Sequence, residues 1–197
     1  MSKKLILEKL IEENNGYLVT SVVEANNVSR TFLSQYVKEK GLEKVARGVY
    51  ITDDVWPDEL YIMQVRNAAV IFSGETALYL HGLIDREYVE ICVSVPTGYN
   101  ATHLKADNVQ VKYIPKEVYE MGVCYVVSSS GNKVKAYDKE RCICELIMSR
   151  HNVEVQNFQT AIKDYMHSKD KQLSRLIEYA ERLGVKDEVM KYVEVLV

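Results

Sequence analysis

Apolar and polar residues alternate along the first fifty positions in the patterns of three short helices and a β-hairpin. Apolar side chains first recur at helical spacing, and two pieces rich in β-branched residues then flank Arg47-Gly48, where Gly48 supplies the positive φ of a tight turn. Thr20 and Ser29 are placed to cap the second and third helices. The predicted elements are helices over residues 2–14, 21–25 and 29–40 and strands over residues 42–46 and 49–52. Three helices followed by a hairpin are the order of a winged helix-turn-helix.

Beyond an acidic segment at residues 53–58, which contains Pro57, the pattern becomes that of a mixed domain. The spacing predicts helices over residues 59–67, 73–82 and 139–150, strands over residues 89–95, 108–114, 122–127 and 133–137, and three C-terminal helices. The predicted fold class is therefore α+β. A winged helix-turn-helix domain over residues 1–54 precedes an α+β domain over residues 55–197 that ends in a helical section.

The third predicted helix carries a polar outer face. Arg30, Ser34 and Lys38 follow one another at four-residue spacing, and Thr31 and Gln35 lie beside that stripe. In a helix-turn-helix, the N-terminal residues of this helix reach base edges in the major groove. Arginine can donate two hydrogen bonds to guanine, and glutamine can pair with adenine. The predicted DNA-binding residues are Ser29, Arg30, Thr31, Ser34, Gln35, Lys38, Lys40 and Arg47.

Charge is distributed unevenly along the chain. The whole protein has a formal charge of −3, whereas residues 28–50 hold five basic and two acidic side chains. Within that segment Lys38, Lys40 and Arg47 are suited to phosphate, so the predicted partner is double-stranded DNA. A winged helix that acts as a protein-interaction adaptor is the alternative, because every amphipathic helix has a polar side.

One set of residues in the second domain is similar to a metal-dependent nuclease site: Glu90, Gln110 and Lys112. Such a nuclease needs more than the single carboxylate present, so we predict no enzymatic activity and keep a nuclease as an alternative. His81 lies on an apolar helix and is expected to be structural. Ser73 is expected to cap a helix, since the glycines of a nucleophile elbow are missing around it.

The composition indicates no cofactor. Four cysteines lie within apolar patterns without ligand spacing, so buried free thiols and no metal are predicted: Cys92, Cys124, Cys142 and Cys144. Glu8 and Lys9 interrupt the N-terminal apolar run, and no stretch approaches the roughly 18 apolar residues of a membrane span. We therefore expect a cytoplasmic protein without membrane contact.

Several motifs occur in an ordered series along nearly the whole chain. The segments are GYLVTSVVEANNVSRTFLSQYVKEKGLEKVARGVY (residues 16–50), FSGETALYLHGL (72–83), VEICVSVPTGYN (89–100) and YDKERCICELI (137–147). This series resembles the AbiEi abortive-infection antitoxins, in which Val-Ser-Arg opens the recognition helix and Arg-Gly-Val-Tyr belongs to the wing. The strength of the resemblance lies in the order of the motifs.

The resemblance implies an antitoxin of a type IV toxin–antitoxin pair, which serves phage defence by abortive infection. It also implies a transcriptional autorepressor whose winged helix binds inverted repeats in its own promoter. By position, the DNA contacts fall to the residues named above other than Lys40. The C-terminal domain would neutralise a nucleotidyltransferase toxin without a stable complex, and the resemblance assigns no residues to that activity.

Overall fold

The structure of the protein is a computed structural model that describes residues 2–196. The chain forms two compact units, of which the first extends to Ala68 and also includes Val127–Lys133. The second comprises Ala69–Val126 and the chain from Val134 onward. Helices and strands are mixed, and the C-terminal part is helical, as the α+β class predicts.

The first unit contains the helices and the hairpin of the N-terminal segment, with one further strand. Its elements are α1 (Lys3–Glu13), β1 (Tyr17–Val19), α2 (Thr20–Ala25), α3 (Arg30–Lys40), β2 (Glu43–Ala46), β3 (Val49–Ile51) and α4 (Glu59–Arg66). The three strands form an antiparallel sheet in the order β1-β3-β2. The apolar pattern does not predict β1, because a three-residue strand is too short to show alternation.

Two apolar clusters hold the first unit together. Leu7 of α1, Val23 of α2 and Leu33 of α3 lie in one cluster and are almost completely buried. Ile51 of β3 lies in the other, against which Val65 of α4 packs. Because α4 buries its apolar side on this sheet, the compact unit extends beyond the domain boundary predicted at residue 54.

Of the two N-caps predicted for the second and third helices, the structure contains one. Ser29 caps α3 as predicted, since its hydroxyl accepts a hydrogen bond from the Phe32 N–H at 3.4 Å. Thr20 does not cap α2: Val19 holds the N-cap position, without a side-chain hydrogen bond, and Thr20 is the first helical residue. Strand β1 runs directly into α2, so Thr20 already lies within the helix, and its N–H donates to the Gly48 carbonyl at 2.8 Å.

Gly16, between α1 and β1, gives a test of the packing in this unit. Its φ is +84°, and a Cβ there would lie 2.4 Å from Val55 Cγ2 and 2.7 Å from Thr52 Oγ1. Gly41 has a similar φ of +69° with open space around it. We expect Gly16→Ala to lower the free energy of unfolding by about 1 kcal/mol or more beyond Gly41→Ala, because only Gly16 adds a steric clash to the backbone strain. Urea unfolding of the two variants measures this difference, and equal losses would contradict the packing described.

The second unit alternates short helices with strands and ends in three helices. Its elements are β4 (Ile71–Phe72), α5 (Gly74–Leu80), β5 (Cys92–Pro96), α6 (Thr102–Ala106), β6 (Gln110–Ile114), α7 (Lys116–Tyr119), β7 (Val123–Val127), β8 (Lys133–Tyr137), α8 (Lys139–Met148), a 3-10 turn (Arg150–Asn152), α9 (Val155–His167), α10 (Leu173–Arg182) and α11 (Lys186–Leu196). The four predicted strands are all present, while β4, α6 and α7 are additional. None of the helices within residues 2–196 combines the length and the apolar character that crossing a bilayer demands.

A five-stranded sheet and a buried helix form the centre of the second unit. The strand order is β6-β5-β4-β8-β7, with β4 antiparallel to β5 and parallel to β8, and with β5 parallel to β6. Helix α8 is capped by Asp138, as predicted, and all its residues from Glu140 to Ile147 are buried. Ser73 precedes α5 as predicted, yet its hydroxyl accepts a hydrogen bond from Ser94 rather than capping the helix.

Candidate nucleic-acid interface

A groove on the first unit lies among α2, α3, the β2–β3 hairpin and the end of α4. Its volume is about 520 Å³. We call it the cationic groove and define it by the charged and polar residues Glu24, Arg30, Ser34, Lys44, Arg47 and Arg66. Four basic side chains and one carboxylate therefore surround a single concave surface. Such a concentration of positive charge on an acidic protein attracts anionic partners locally.

Local structure explains how the chain places these side chains. Ser29 begins α3, so Arg30 and Ser34 lie in its first two turns and on its groove side. Gly48, with φ of +77°, forms the turn that leaves Arg47 at the hairpin tip. Gly48 also accepts the backbone hydrogen bond from Thr20 at 2.8 Å, which holds the hairpin tip against the start of α2.

The predicted polar face of α3 is exposed. Thr31, Gln35 and Lys38 are all exposed on this helix, as are Ser29 and Arg30 near its start. Leu33 and Tyr36 on its other side are buried, as the apolar spacing predicts. The exposed face is therefore open to a partner along its length.

Several basic side chains around this face are free of ion pairs. Among residues 2–196, no ion pair joins a carboxylate to Lys38, Lys44, Arg47 or Arg66. An exposed cation without a carboxylate partner can exchange its counterions for phosphates. These four side chains are thus the ones best placed to bind a phosphate backbone.

Arg30 has a carboxylate partner within the groove. It donates two hydrogen bonds to Glu24 of α2, from Nε to Oε1 at 2.5 Å and from Nη2 to Oε2 at 3.0 Å. The hydrogen bond from Arg30 lowers the pKa of the Glu24 carboxyl, so this group is ionised at neutral pH. The Arg30 side chain nevertheless remains 75% exposed.

Lys40 is separated from the other predicted contact residues. Two residues along a helix correspond to a rotation of about 200°, so Lys40 lies on the side of α3 opposite Lys38. There it forms an ion pair with Glu8 of α1, with Nζ 3.8 Å from Oε1. On the same side of the unit, Lys4 of α1 pairs with Glu39 at 2.7 Å. Lys40 therefore directs its charge towards α1 and lies outside the cationic groove.

Three members of the groove are not predicted by the pattern of the third helix: Lys44, Arg66 and Glu24. Neither Lys44 nor Arg66 lies on that helix, although the basic surplus of the hairpin segment contains a signal for Lys44. Nothing local marks Arg66, which ends α4 and reaches the groove only because α4 packs on the first sheet. Nothing in the sequence around Glu24 distinguishes it from an ordinary surface glutamate.

Two of the three nuclease-like residues of the second unit line one cavity. Gln110 and Lys112 of β6 line a cavity of about 390 Å³ between the sheet, α5 and α8. Gln110 accepts a hydrogen bond from the Cys92 thiol at 2.9 Å, and Lys112 Nζ lies 3.3 Å from Glu145 Oε2. Glu90 is exposed ahead of β5 and is not among the residues that line this cavity.

His81 and the cysteines lie in structural surroundings. His81 Nε2 is 2.7 Å from the Tyr137 carbonyl oxygen, and burial lowers the pKa of this imidazole. Cys92, Cys142 and Cys144 are buried free thiols, as predicted, while Cys124 is partly exposed. Burial raises the pKa of the Cys124 thiol to about 11, so the reactive thiolate is scarce at neutral pH. Within residues 2–196, no three His, Cys, Asp or Glu side chains are arranged to hold a metal ion.

The chain is similar to a known protein in its fold. No protein-family model matches this chain, and no curated protein does so either. Among solved structures, the crystal structure of the RV2827C protein from Mycobacterium tuberculosis is similar, with a TM-score of 0.55 and 13% sequence identity. The similarity covers 89% of this chain and 70% of that one. At this identity the chain is similar to the RV2827C protein in fold alone.

Proposed function

We propose that the first unit is a winged helix-turn-helix that binds double-stranded DNA at inverted repeats in the protein's own promoter. The observation that carries this proposal is the cationic groove, together with the exposed polar face of α3 beside it. In this arrangement the first turns of α3 enter the major groove, where Arg30 and Gln35 contact base edges. Ser29, Thr31 and Ser34 donate to phosphate or base at the same surface.

The phosphate contacts come from several elements. Lys38 lies further along the exposed face of α3, Lys44 and Arg47 lie on the hairpin, and Arg66 ends α4. Contacts from three directions fix the position of a protein on the duplex, while base contacts provide the sequence preference. Because all four cations are free of ion pairs within residues 2–196, each can release counterions when DNA binds.

We further propose that the protein is a cytoplasmic antitoxin and autorepressor of the AbiEi kind, with no enzymatic activity and no cofactor. The motif series supports this part of the proposal. The second unit would neutralise a nucleotidyltransferase toxin without forming a stable complex. A gene for a nucleotidyltransferase immediately downstream would support the pairing at no experimental cost.

Lys38→Ala tests the DNA-binding face, with Lys40→Ala as its matched control on the opposite side of the same helix. We expect Lys38→Ala to weaken binding to every duplex and to reduce the slope of log affinity against log salt by about 0.9, the value of one phosphate contact. Lys40→Ala is expected to leave both quantities unchanged. Fluorescence anisotropy with a duplex from immediately upstream of the coding sequence measures them across a salt series.

Two outcomes would contradict the proposal. If the wild-type protein binds neither this duplex nor a permuted one, the first unit is not a DNA-binding domain, and a protein-interaction adaptor becomes the better description. If Lys38→Ala and Lys40→Ala change the salt slope equally, DNA binds, but not on the face described.

A further inference from the structure

Glu24 is out of place in a DNA-binding groove. Of the described residues that line the cationic groove, it is the one that carries a carboxylate. A carboxylate beside a DNA backbone is repelled by phosphate, so a groove suited only to tight binding would not contain it. It accepts two hydrogen bonds from Arg30, at 2.5 and 3.0 Å, which indicates that its role in the groove is exercised through this arginine.

We propose that Glu24 is a specificity-determining residue of the DNA-binding face: it positions Arg30 for a guanine and disfavours DNA that offers none. This inference rests on the proposed function and concerns the same site. Glu24 acts through Arg30 and is a positioning residue, whereas Arg30 contacts the base.

The hydrogen-bonding capacity of the guanidinium supports the positioning role. Arginine has five N–H donors in a planar fork, and Glu24 accepts one from Nε and one from Nη2. Among residues 2–196, no acceptor takes the remaining Nη1 and Nη2 donors, which form the outer edge of the guanidinium. That edge has the geometry for two parallel hydrogen bonds to guanine O6 and N7. Glu24 holds the edge of the guanidinium that carries Nε and one Nη2 donor. The outer edge is therefore oriented before DNA arrives, which reduces the ordering cost of a correct contact.

The negative charge of Glu24 supports the proposed discrimination against DNA that offers no guanine to Arg30. With Arg30 unpaired, its cation would attract any phosphate, and this attraction would strengthen binding to all sequences alike. The Glu24 carboxylate offsets that general attraction, so Arg30 contributes only where a guanine accepts its outer edge. Specific recognition commonly depends on such an unfavourable term against wrong partners as well as on contacts to the right one.

Glu24→Gln tests the inference, because glutamine keeps the size of the side chain and removes its charge. Full-length protein is titrated with the duplex from immediately upstream of its coding sequence and with a permuted duplex of equal composition. We expect Glu24→Gln to bind the permuted duplex more tightly and to reduce the ratio of the two affinities by roughly tenfold, within the range that one bidentate contact provides. Glu13→Gln, which removes an exposed carboxylate paired with Lys9 on α1, is the matched control and is expected to preserve the ratio.

A second measurement identifies the base. Replacing single guanines by 7-deazaguanine removes the N7 acceptor without changing pairing. At one position, we expect this replacement to lower the affinity of the wild-type protein for the duplex. The affinity of Glu24→Gln should fall less at that position, and the affinity of Arg30→Ala should not change. Glu24→Asp, which retains the carboxylate, is expected to restore part of the discrimination. A merely structural role for Glu24 would change the melting temperature of the protein but would not single out one guanine.

The possible results separate the inference from the function beneath it. If the wild-type protein prefers its own promoter and Glu24→Gln retains the full affinity ratio, the inference is wrong while the proposed function stands. If the wild-type protein shows no preference between the duplexes, the promoter-specific function and the inference fail together.

Discussion

Replacing Arg141 by alanine is expected to lower the free energy of unfolding by about 3–5 kcal/mol, because it leaves a buried carboxylate without its main partner. The Arg141 side chain is 1% exposed, and its Nε donates to Glu145 Oε1 at 2.9 Å. Its Nη1 donates to the Val118 carbonyl at 3.1 Å, and its guanidinium lies 4.7 Å from the centre of the Tyr137 ring. Without Arg141, the ion-pair partner that Glu145 keeps among residues 2–196 is Lys112, whose side chain is 42% exposed. Such a loss is a large part of the roughly 5–15 kcal/mol that stabilises a typical protein.

Two further variants show whether the buried charge is the cause. Lys186→Ala removes an exposed ion pair with Glu181 and is expected to cost at most about 1 kcal/mol. The double variant Arg141→Met with Glu145→Leu removes both buried charges, and we expect it to be more stable than Arg141→Ala alone. Urea unfolding followed by circular dichroism compares the variants. A loss for Arg141→Ala no greater than that for Lys186→Ala would contradict this account of α8.

Arg47→Glu is expected to have the largest effect on DNA binding, with affinity for the promoter duplex falling by roughly 100-fold or more. The substitution replaces a free cation at the hairpin tip by an anion, and like charges brought together across an interface cost several kcal/mol. Lys169→Glu changes the net charge equally on an exposed residue of the second unit and serves as the control. Equal losses for the two variants would mean that total charge, rather than the groove, governs binding.

The same variant separates the two proposed activities in the cell. Full-length Arg47→Glu protein is expected to lose repression of its own promoter yet still to restore growth when the nucleotidyltransferase toxin is expressed. The intact chain is needed for this test, because α4 packs on the first sheet and a fragment starting at residue 55 would expose its apolar side. If growth rescue is lost together with repression, the antitoxin activity depends on the DNA-binding face and is not confined to the second unit.

The candidate site was accessible to sequence reasoning where it depends on one helix. The polar stripe of α3, its Ser29 cap and the turn at Gly48 all follow from side chains within a few residues of one another. Whether each cation is free or paired with a carboxylate does not follow from such neighbouring side chains. Helical spacing places Lys38 and Lys40 on opposite sides of α3, but it does not show that, among residues 2–196, Lys40 pairs with a carboxylate and Lys38 does not, because that carboxylate is Glu8 of α1.

Within residues 2–196, the sequence by itself determined most of the longer helices and strands, the α+β class and the exposed face of α3, because periodicity and capping act over one or two helical turns; the short elements β1, β4, α6 and α7 escaped it. Only the tertiary structure decided that Arg66 joins the cationic groove, that Glu24 holds Arg30, and that α8 is buried around its charged residues. Each of these features depends on distances between segments far apart in the chain. Such distances are fixed when apolar faces pack together, since packing brings polar groups from different elements within hydrogen-bonding range.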